Sequence, residues 1–485
     1  MMLRAVLLLS VAAPALAQDP VAEAVAAAEA RSAKRLEALE AKIGALEAEV
    51  ASLRKNDTAA PPPVWTRGSP EFREPGSGGI FRLTGEAQFD FGYVENPGER
   101  VATTNLGYNG RARRIIIGAH GDLPGDFRYI IEFNLTGQAV DYEDVSLAWE
   151  PKGSPFSAKI GFHYPFVSLD ILTSNKLISF SERAQINDAL GQNGRRLGAS
   201  FGLVDKSGTL RFNAGLFNSD INANFNNTNY LVSARGVWAP KALGGQLHLA
   251  ANYQYRRFPV QSQGFLYQAR PFAQISNVRF IGTAGASATG ALSGGIAASG
   301  DQVFGVEAAG IFGPLHVVGE ANYVKVDAIA PGEVLGNGRA STGQRLEGNP
   351  AFKAAYVEAG YWLTGETRGY ARGRFDRTRV RNPVHKGGPG AFQLVGRVDH
   401  LDLTDRVGGT GAGIVNGVLN GGKQTGYLGG VNWWPTDNIR FSAQYTRAEI
   451  DGGPGAGQVE PLSPASLIDR DYGVDVFVTR AQFDF

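Results

Sequence analysis

From residue 80 to the C-terminus, apolar and polar residues alternate with a period of two. In the run from Gln246 to Arg256 the even positions are mostly polar and the odd ones apolar or aromatic. The run from Ile439 to Thr446 repeats the scheme. Successive side chains of a strand point to opposite faces, so each such segment has one wet and one apolar face. In a soluble sandwich the apolar faces would oppose one another. In an outer-membrane barrel they face lipid, and the polar ones face the lumen.

Two features choose the barrel. At the C-terminus, Phe477, Phe483 and the final Phe485 share one parity while Arg480, Gln482 and Asp484 share the other, the layout of a membrane-interface girdle. Tight turns at 121–125, 151–155 and 435–438 also alternate with long irregular connections, as periplasmic turns alternate with external loops.

Seventeen segments alternate, starting near 80, 110, 126, 143, 157, 195, 208, 229, 245, 303, 315, 353, 368, 390, 424, 438 and 472. A single-chain barrel normally has an even number, which returns both termini to the periplasm. The tight turn joining the segments at 424 and 438 makes the first of them run inward. The segment at 390 therefore runs outward and that at 353 inward, so only a periplasmic connection fits between them. The false strand is 368–381, RGYARGRFDRTRVR. As a membrane strand it would point arginines at lipid from either face, at about 2–4 kcal/mol each near the midplane. Residues 365–389 read instead as a long periplasmic turn folded back into the lumen.

The N-terminus follows other periods. Residues 1–17 have a basic Arg4, an apolar run and an Ala15-Leu16-Ala17 site, the layout of a cleaved signal peptide. Residues 18–60 carry Leu36, Leu39, Ile43, Leu46, Val50 and Leu53 at alternating spacings of three and four, which predicts an α-helical coiled coil and self-association. Residues 61–79 are a Pro/Gly-rich linker, and 80–485 is the barrel. The expected fold is all-β, a 16-stranded antiparallel transmembrane β-barrel preceded by that coiled coil.

Composition narrows the function. Lys and Arg number 47 against 46 Asp and Glu, so only local clustering can attract a charged solute. The arginine-rich 368–381 stretch suggests a nucleic-acid patch, but an exported chain has no such partner. With no cysteine there is no disulfide scaffold. The six histidines lack metal spacing, Gly409–Gly413 lacks the strand-to-helix setting of a phosphate loop, and no nucleophile is placed beside a base. No cofactor, metal or catalytic residue is expected.

The dispersed blocks 111–137, 169–184, 304–326, 360–366, 390–405, 430–445 and 480–485 together resemble the phosphate-selective porin O/P family. The resemblance implies a sixteen-stranded barrel, a homotrimer in outer-membrane lipid, loops folded inward and basic residues along an anion path. It matches the double arginine of the second strand to Arg113 and Arg114, and an acid–arginine pair of the third loop to Glu182 and Arg183. Ile116 stands where the family has a further arginine, and 258–302 contains no lysine where a basic cluster is expected. Candidate anion contacts are Arg114, Arg183, Arg195, Arg196, Arg235, Arg256, Arg372, Arg374, Arg377, Arg379, Arg381 and Arg397. Each has a second reading as an ion-pair partner that fixes a loop, with Glu182, Glu358, Asp376 and Asp399 as acids. The expected activity is passive diffusion of small anions such as phosphate or polyphosphate. A non-selective porin, an outer-membrane lipase and an envelope tether are the alternatives.

Overall fold

Along residues 391–405 burial is inverted relative to a protein dissolved in water. Gln393, Arg397 and Asp399 are buried, whereas Leu394 and Val398 expose 45% and 48% of their surface. Apolar side chains turned outward suit a hydrocarbon solvent, and polar ones turned inward find partners or lumen water. This computed structural model describes residues 20–55, 62–66, 68–97, 106–137, 139–190, 194–218, 229–258, 264–284, 295–333, 343–410, 414–415, 417–452 and 471–485. The expected signal peptide at 1–17 lies outside the described residues, as does 285–294 within the Gly/Ala/Ser-rich run from Thr283 to Gly300, whose composition suggests an external or infolded loop.

Sixteen antiparallel strands close a ring. They are β1 (Ile80–Val94), β2 (Gly107–Leu123), β3 (Phe127–Asn134), β4 (Asp141–Trp149), β5 (Phe156–His163), β6 (Arg196–Val204), β7 (Leu210–Phe217) and β8 (Tyr230–Trp238). There follow β9 (Gly245–Arg257), β10 (Ala298–Phe312), β11 (Leu315–Ala328), β12 (Ala351–Trp362), β13 (Ala391–Asp405), β14 (Val418–Thr436), β15 (Ile439–Asp451) and β16 (Asp471–Asp484). Each pairs with its sequence neighbour, and β16 pairs with β1 from Val476↔Val94 to Asp484↔Glu86. Four short strands, 64–66, 69–73, 241–242 and 414–415, extend the sheet at its rims. The wall is uneven: β3 to β8 are 8 or 9 residues long, while the other ten strands run from 12 to 19.

Parity excludes the right segment. Residues 369–371 and 374–376 are β-structured, but as a separate hairpin outside the ring. Its tip is Arg372-Gly373, both at positive φ (53° and 75°), as a two-residue turn between twisted strands requires.

The terminal carboxyl end closes the ring. Gly85 N–H donates to the Phe485 carbonyl at 3.2 Å and Phe485 N–H to the Gly85 carbonyl at 3.0 Å, with the Phe485 ring lying over Gly85. A Cβ on Gly85 would fall 2.3 Å from that ring. Gly85→Val should therefore displace Phe485 and cost about 1–3 kcal/mol. The expected result is a smaller folded fraction in urea, read from the heat-modifiable band on a denaturing gel.

Residues 1–61 and 62–485 form two compact units. In the first, α1 (Pro20–Lys55) is a single helix, and its side chains from 25 to 51 are all exposed. In the second, the expected linker at 61–79 contains β-structure. Residues 64–66 and 69–73 pair as a hairpin, and the latter continues onto β1 through Glu71↔Arg82 and Phe72↔Phe81. The overhanging start of β1 offers unpaired backbone groups, and this stretch satisfies them. Ser69 is fully buried there, its hydroxyl donating to the Leu83 carbonyl.

Candidate functional site: the constricted lumen

Two segments fill the lumen from opposite ends. From the external side, the β5–β6 connection 164–195 enters with a short helix α2 (Leu169–Leu172) and a single turn α3 (Gln185–Asp188). Such a segment needs partners for its backbone, and the wall supplies them. Glu320 on β11 accepts from Leu169 N–H and Asp170 N–H, both at 2.9 Å. Asp399 on β13 accepts from Gln185 N–H at 3.0 Å, and Gln444 on β15 accepts from Ser181 N–H at 2.8 Å. Arg113 grips Glu182 through Nε and Nη2, at 2.8 and 3.0 Å. The loop is thus fastened to β2 and to β11–β15.

From the periplasmic side the 363–390 turn folds inward, as parity and length predict. Tyr370 OH meets His248 Nδ1 at 2.7 Å, and Arg235 donates to the Gly373 carbonyl at 3.1 Å. The two insertions touch mid-barrel. Arg368 donates to Ser179 Oγ at 2.7 Å and to the Leu177 carbonyl at 3.0 Å, and Arg374 lies 3.4 Å from the Leu172 carbonyl.

Because the external loop is fastened to the long-stranded side, the open space runs off-centre along β2–β8. Three cavities succeed one another there. An outer one of about 280 Å³ is lined by Arg113, Arg114, Glu182, Arg183, Asp188 and Arg270. A middle one of about 350 Å³ shares Arg114 and Arg183 with it and adds Lys159, Lys176, Arg195 and Arg374. An inner one of about 320 Å³ shares Lys159 and Arg374 with the middle one and adds Arg211, Arg235, Arg372 and Glu150.

The twelve candidate arginines separate by their partners. Arg114 faces Glu143 at 2.6 Å. Arg195 meets Asp144 at 2.9 Å and Glu143, with its guanidinium 4.3 Å from the centre of the Tyr164 ring. Arg183 lies 3.7 Å from Asp170 and Arg372 3.3 Å from Glu150. These four line the cavities while paired. Arg374 lines two cavities and has no carboxylate within ion-pair distance among the described residues. Enclosed by protein yet wetted from the lumen, its guanidinium is pulled below its ordinary pKa by burial and by Arg372.

The remaining arginines serve other ends. Arg256 is 2% exposed against Asp301 and the Leu190 carbonyl, and Arg397 is 3% exposed against Glu358 at 2.7 Å, so both hold the external loop. Arg235 lines the inner cavity, but Glu307 holds it from two sides, at 2.9 and 2.6 Å. Arg196 donates to the Asn218 carbonyl at the external rim. Arg377 pairs with Asp484 and Arg379 with Asp437, fixing the turn to the barrel base, and Arg381 is exposed at the periplasmic mouth. Arg196, Arg256, Arg377, Arg379, Arg381 and Arg397 line none of these three cavities. Of the four acids expected to act as loop-fixing partners, Glu182 and Glu358 pair with arginines. Asp399 accepts the loop backbone instead, and Asp376 accepts from Arg377 N–H.

Lys159, Lys176, Arg211 and Arg270 line the cavities and were not among the candidates. Lys159 and Arg211 were findable. Each occupies the lumen parity of its strand, between outward Phe156 and Ile160 on β5 and between Leu210 and Phe212 on β7. Neither has a carboxylate within ion-pair distance among the described residues. Three cations outside any ion pair among the described residues therefore converge toward the periplasmic end, in cavities that Asp144, Glu150 and Asp376 also line.

Comparison with known proteins bears on this geometry. A family model described as phosphate-selective porin O and P matches residues 81–485. An uncharacterized protein of Caulobacter vibrioides is 34% identical over 439 residues, 88% of this chain and 78% of its own. Porin O of Pseudomonas aeruginosa is 26% identical over 427 residues, covering 84% of this chain and 88% of that protein. Among solved structures, the outer membrane channel DcaP of Acinetobacter baumannii superposes at a TM-score of 0.46 with 12% identity, covering 85% and 99% of the two chains. An anion-selective porin from Comamonas acidovorans gives 0.47 with 11% identity, over 84% and 100%.

Proposed function

This chain belongs to the phosphate-selective porin O and P family, and on that premise we propose that it passes small anions, inorganic phosphate among them, along the off-centre path beside β2–β8. The protein is an outer-membrane porin, a water-filled channel through a sixteen-stranded barrel. The observation that carries the anion reading is the set Lys159, Arg211 and Arg374 in the inner two cavities, none of them held in an ion pair among the described residues, although Asp144, Glu150 and Asp376 line the same cavities and offset part of their charge. Anions reaching that point replace part of their hydration with guanidinium and ammonium donors. The outer arginines, each beside an acid, bind more weakly, and a series of weak sites lets an ion leave as readily as it enters.

A general diffusion porin is the second reading, favoured by one feature: Arg114 and Arg195 stand beside Glu143 and Asp144, charges of both signs on one wall. Reversal potentials of single channels in a tenfold KCl gradient separate the two. The expected sign is that of chloride permeation, with conductance falling as phosphate is added. A cation-selective potential overturns the anion reading.

The protein acts as a homotrimer in this proposal. Six consecutive strands of 8 or 9 residues, at about 3.3 Å per residue and about 45° of tilt, cover only about 20 Å of a lipid-facing band near 25 Å. Their outer face carries Phe156, Phe201 and Phe212 and is best covered by protein, the neighbouring copies. α1 then lies in the periplasm, on the side to which both termini of the barrel return.

A further inference from the structure

The seam of α1 is apolar and exposed among the described residues. Leu36, Leu39, Ile43, Leu46 and Val50 expose 46% to 61% of their surface. An amphipathic helix that leaves such a stripe in water lacks the packing that stabilises most helices. What covers the stripe is indicated by the charges flanking it.

With Leu36, Ile43 and Val50 at heptad position a and Leu39, Leu46 and Leu53 at d, position g holds Arg35, Lys42 and Glu49. Position e holds Glu40, Glu47 and Arg54. In a parallel, in-register coiled coil each g residue faces the e residue five positions further along its neighbour. The three contacts are then Arg35 with Glu40, Lys42 with Glu47, and Glu49 with Arg54, each of opposite sign. Other arrangements of the same seam lose this. Sliding one helix by a heptad sets Lys42 against Arg54. Reversing one helix, with a against d, sets Glu40 against Glu47.

We propose that residues 36–53 pair with the same residues of other copies of this chain, parallel and in register, and that the g and e charges select that arrangement. The proposal rests on the outer-membrane reading for one step: barrels of one membrane share an orientation, so their N-terminal segments leave on the same side and meet parallel. A seam of under three heptads is marginal alone, and tethering to associated barrels raises its effective concentration. Ile43 and Val50 at a, with leucine at d, favour two strands when nothing else intervenes. A third strand is therefore held by the barrels rather than by the seam.

The natural chain has no cysteine, so single cysteines report cleanly. In the full-length protein in outer-membrane vesicles, Leu39→Cys and Leu46→Cys are each oxidised mildly and compared with Ala41→Cys on the opposite face. Interchain disulfides several-fold more abundant at 39 and 46 than at 41 support the proposal, since identical positions meet only in a parallel, in-register pair. Equal yields at all three positions overturn it. In the Leu46→Cys chain, adding Glu40→Lys and Glu47→Lys should lower the disulfide yield several-fold, and further adding Arg35→Glu and Lys42→Glu should restore it. A yield that the second pair of changes leaves low overturns the charge register. Reversal potentials on the same preparations test the anion reading separately, so either result can fail without the other.

Discussion

Replacing Lys159, Arg211 and Arg374 together with glutamine lowers the anion-to-cation permeability ratio by about an order of magnitude or more. Replacing Arg377 and Arg379 leaves the ratio near its starting value. The first three are cavity-lining cations outside any ion pair among the described residues, so each contributes to an ion a few ångströms away a field that Asp144, Glu150 and Asp376 offset only in part. In a water-like dielectric that field amounts to about 1 kcal/mol at ~4 Å, or a factor of about five per charge before screening. Arg377 and Arg379 spend their charge on Asp484 and Asp437 at the barrel base. The check is the reversal potential at low salt, where screening is weakest. Equal losses in the two variants would mean that selectivity follows the position of the turn rather than the charges it exposes.

Glu358→Gln has the largest expected effect on stability. Glu358 receives Arg397 at 2.7 Å and the Ser179 hydroxyl, with His316 3.5 Å away, all at depth in the barrel. Removing the carboxylate charge strands the Arg397 guanidinium, 3% exposed between the Phe180 and Tyr356 rings, at a cost of about 3–5 kcal/mol. The midpoint of urea unfolding, read from the heat-modifiable band, should fall accordingly. The pair Glu358→Met with Arg397→Met should cost less than the single change, because it leaves no unpaired charge. A double variant weaker than Glu358→Gln would argue that the hydrogen bonds to the external loop matter more than the ion pair.

The barrel was legible because its rule is arithmetic. Period two identifies faces, turn length identifies sides, and an even count removes one candidate, so residues 368–381 leave the wall without any structural information. What charge composition could not convey is pairing at a distance. RGYARGRFDRTRVR holds one aspartate, so its arginines look unbalanced. Yet Glu150, Asp437 and Asp484 come to Arg372, Arg379 and Arg377 from remote parts of the chain. Of the cluster, Arg374 lines two cavities with no carboxylate within ion-pair distance among the described residues. Lys159 and Arg211 show the opposite error. Each is a lone cation on an alternating strand, unremarkable in a window, and significant because the ring sets the two strands beside the same cavity. The depth of the 164–195 loop was legible only through family resemblance, since its anchors lie on β2 and β11–β15, far away in sequence.

The shortness of β3–β8 has a consequence for the lipid. An isolated copy would have to pinch the bilayer by about 5 Å along that side, and the elastic energy of such a dimple, fractions of a kcal/mol per ångström, grows with membrane thickness. Copies that meet along their thin sides erase the dimple. Assembly would then be driven partly by the membrane itself, and a stiffer or thicker bilayer would hold the copies together more firmly than a thin one.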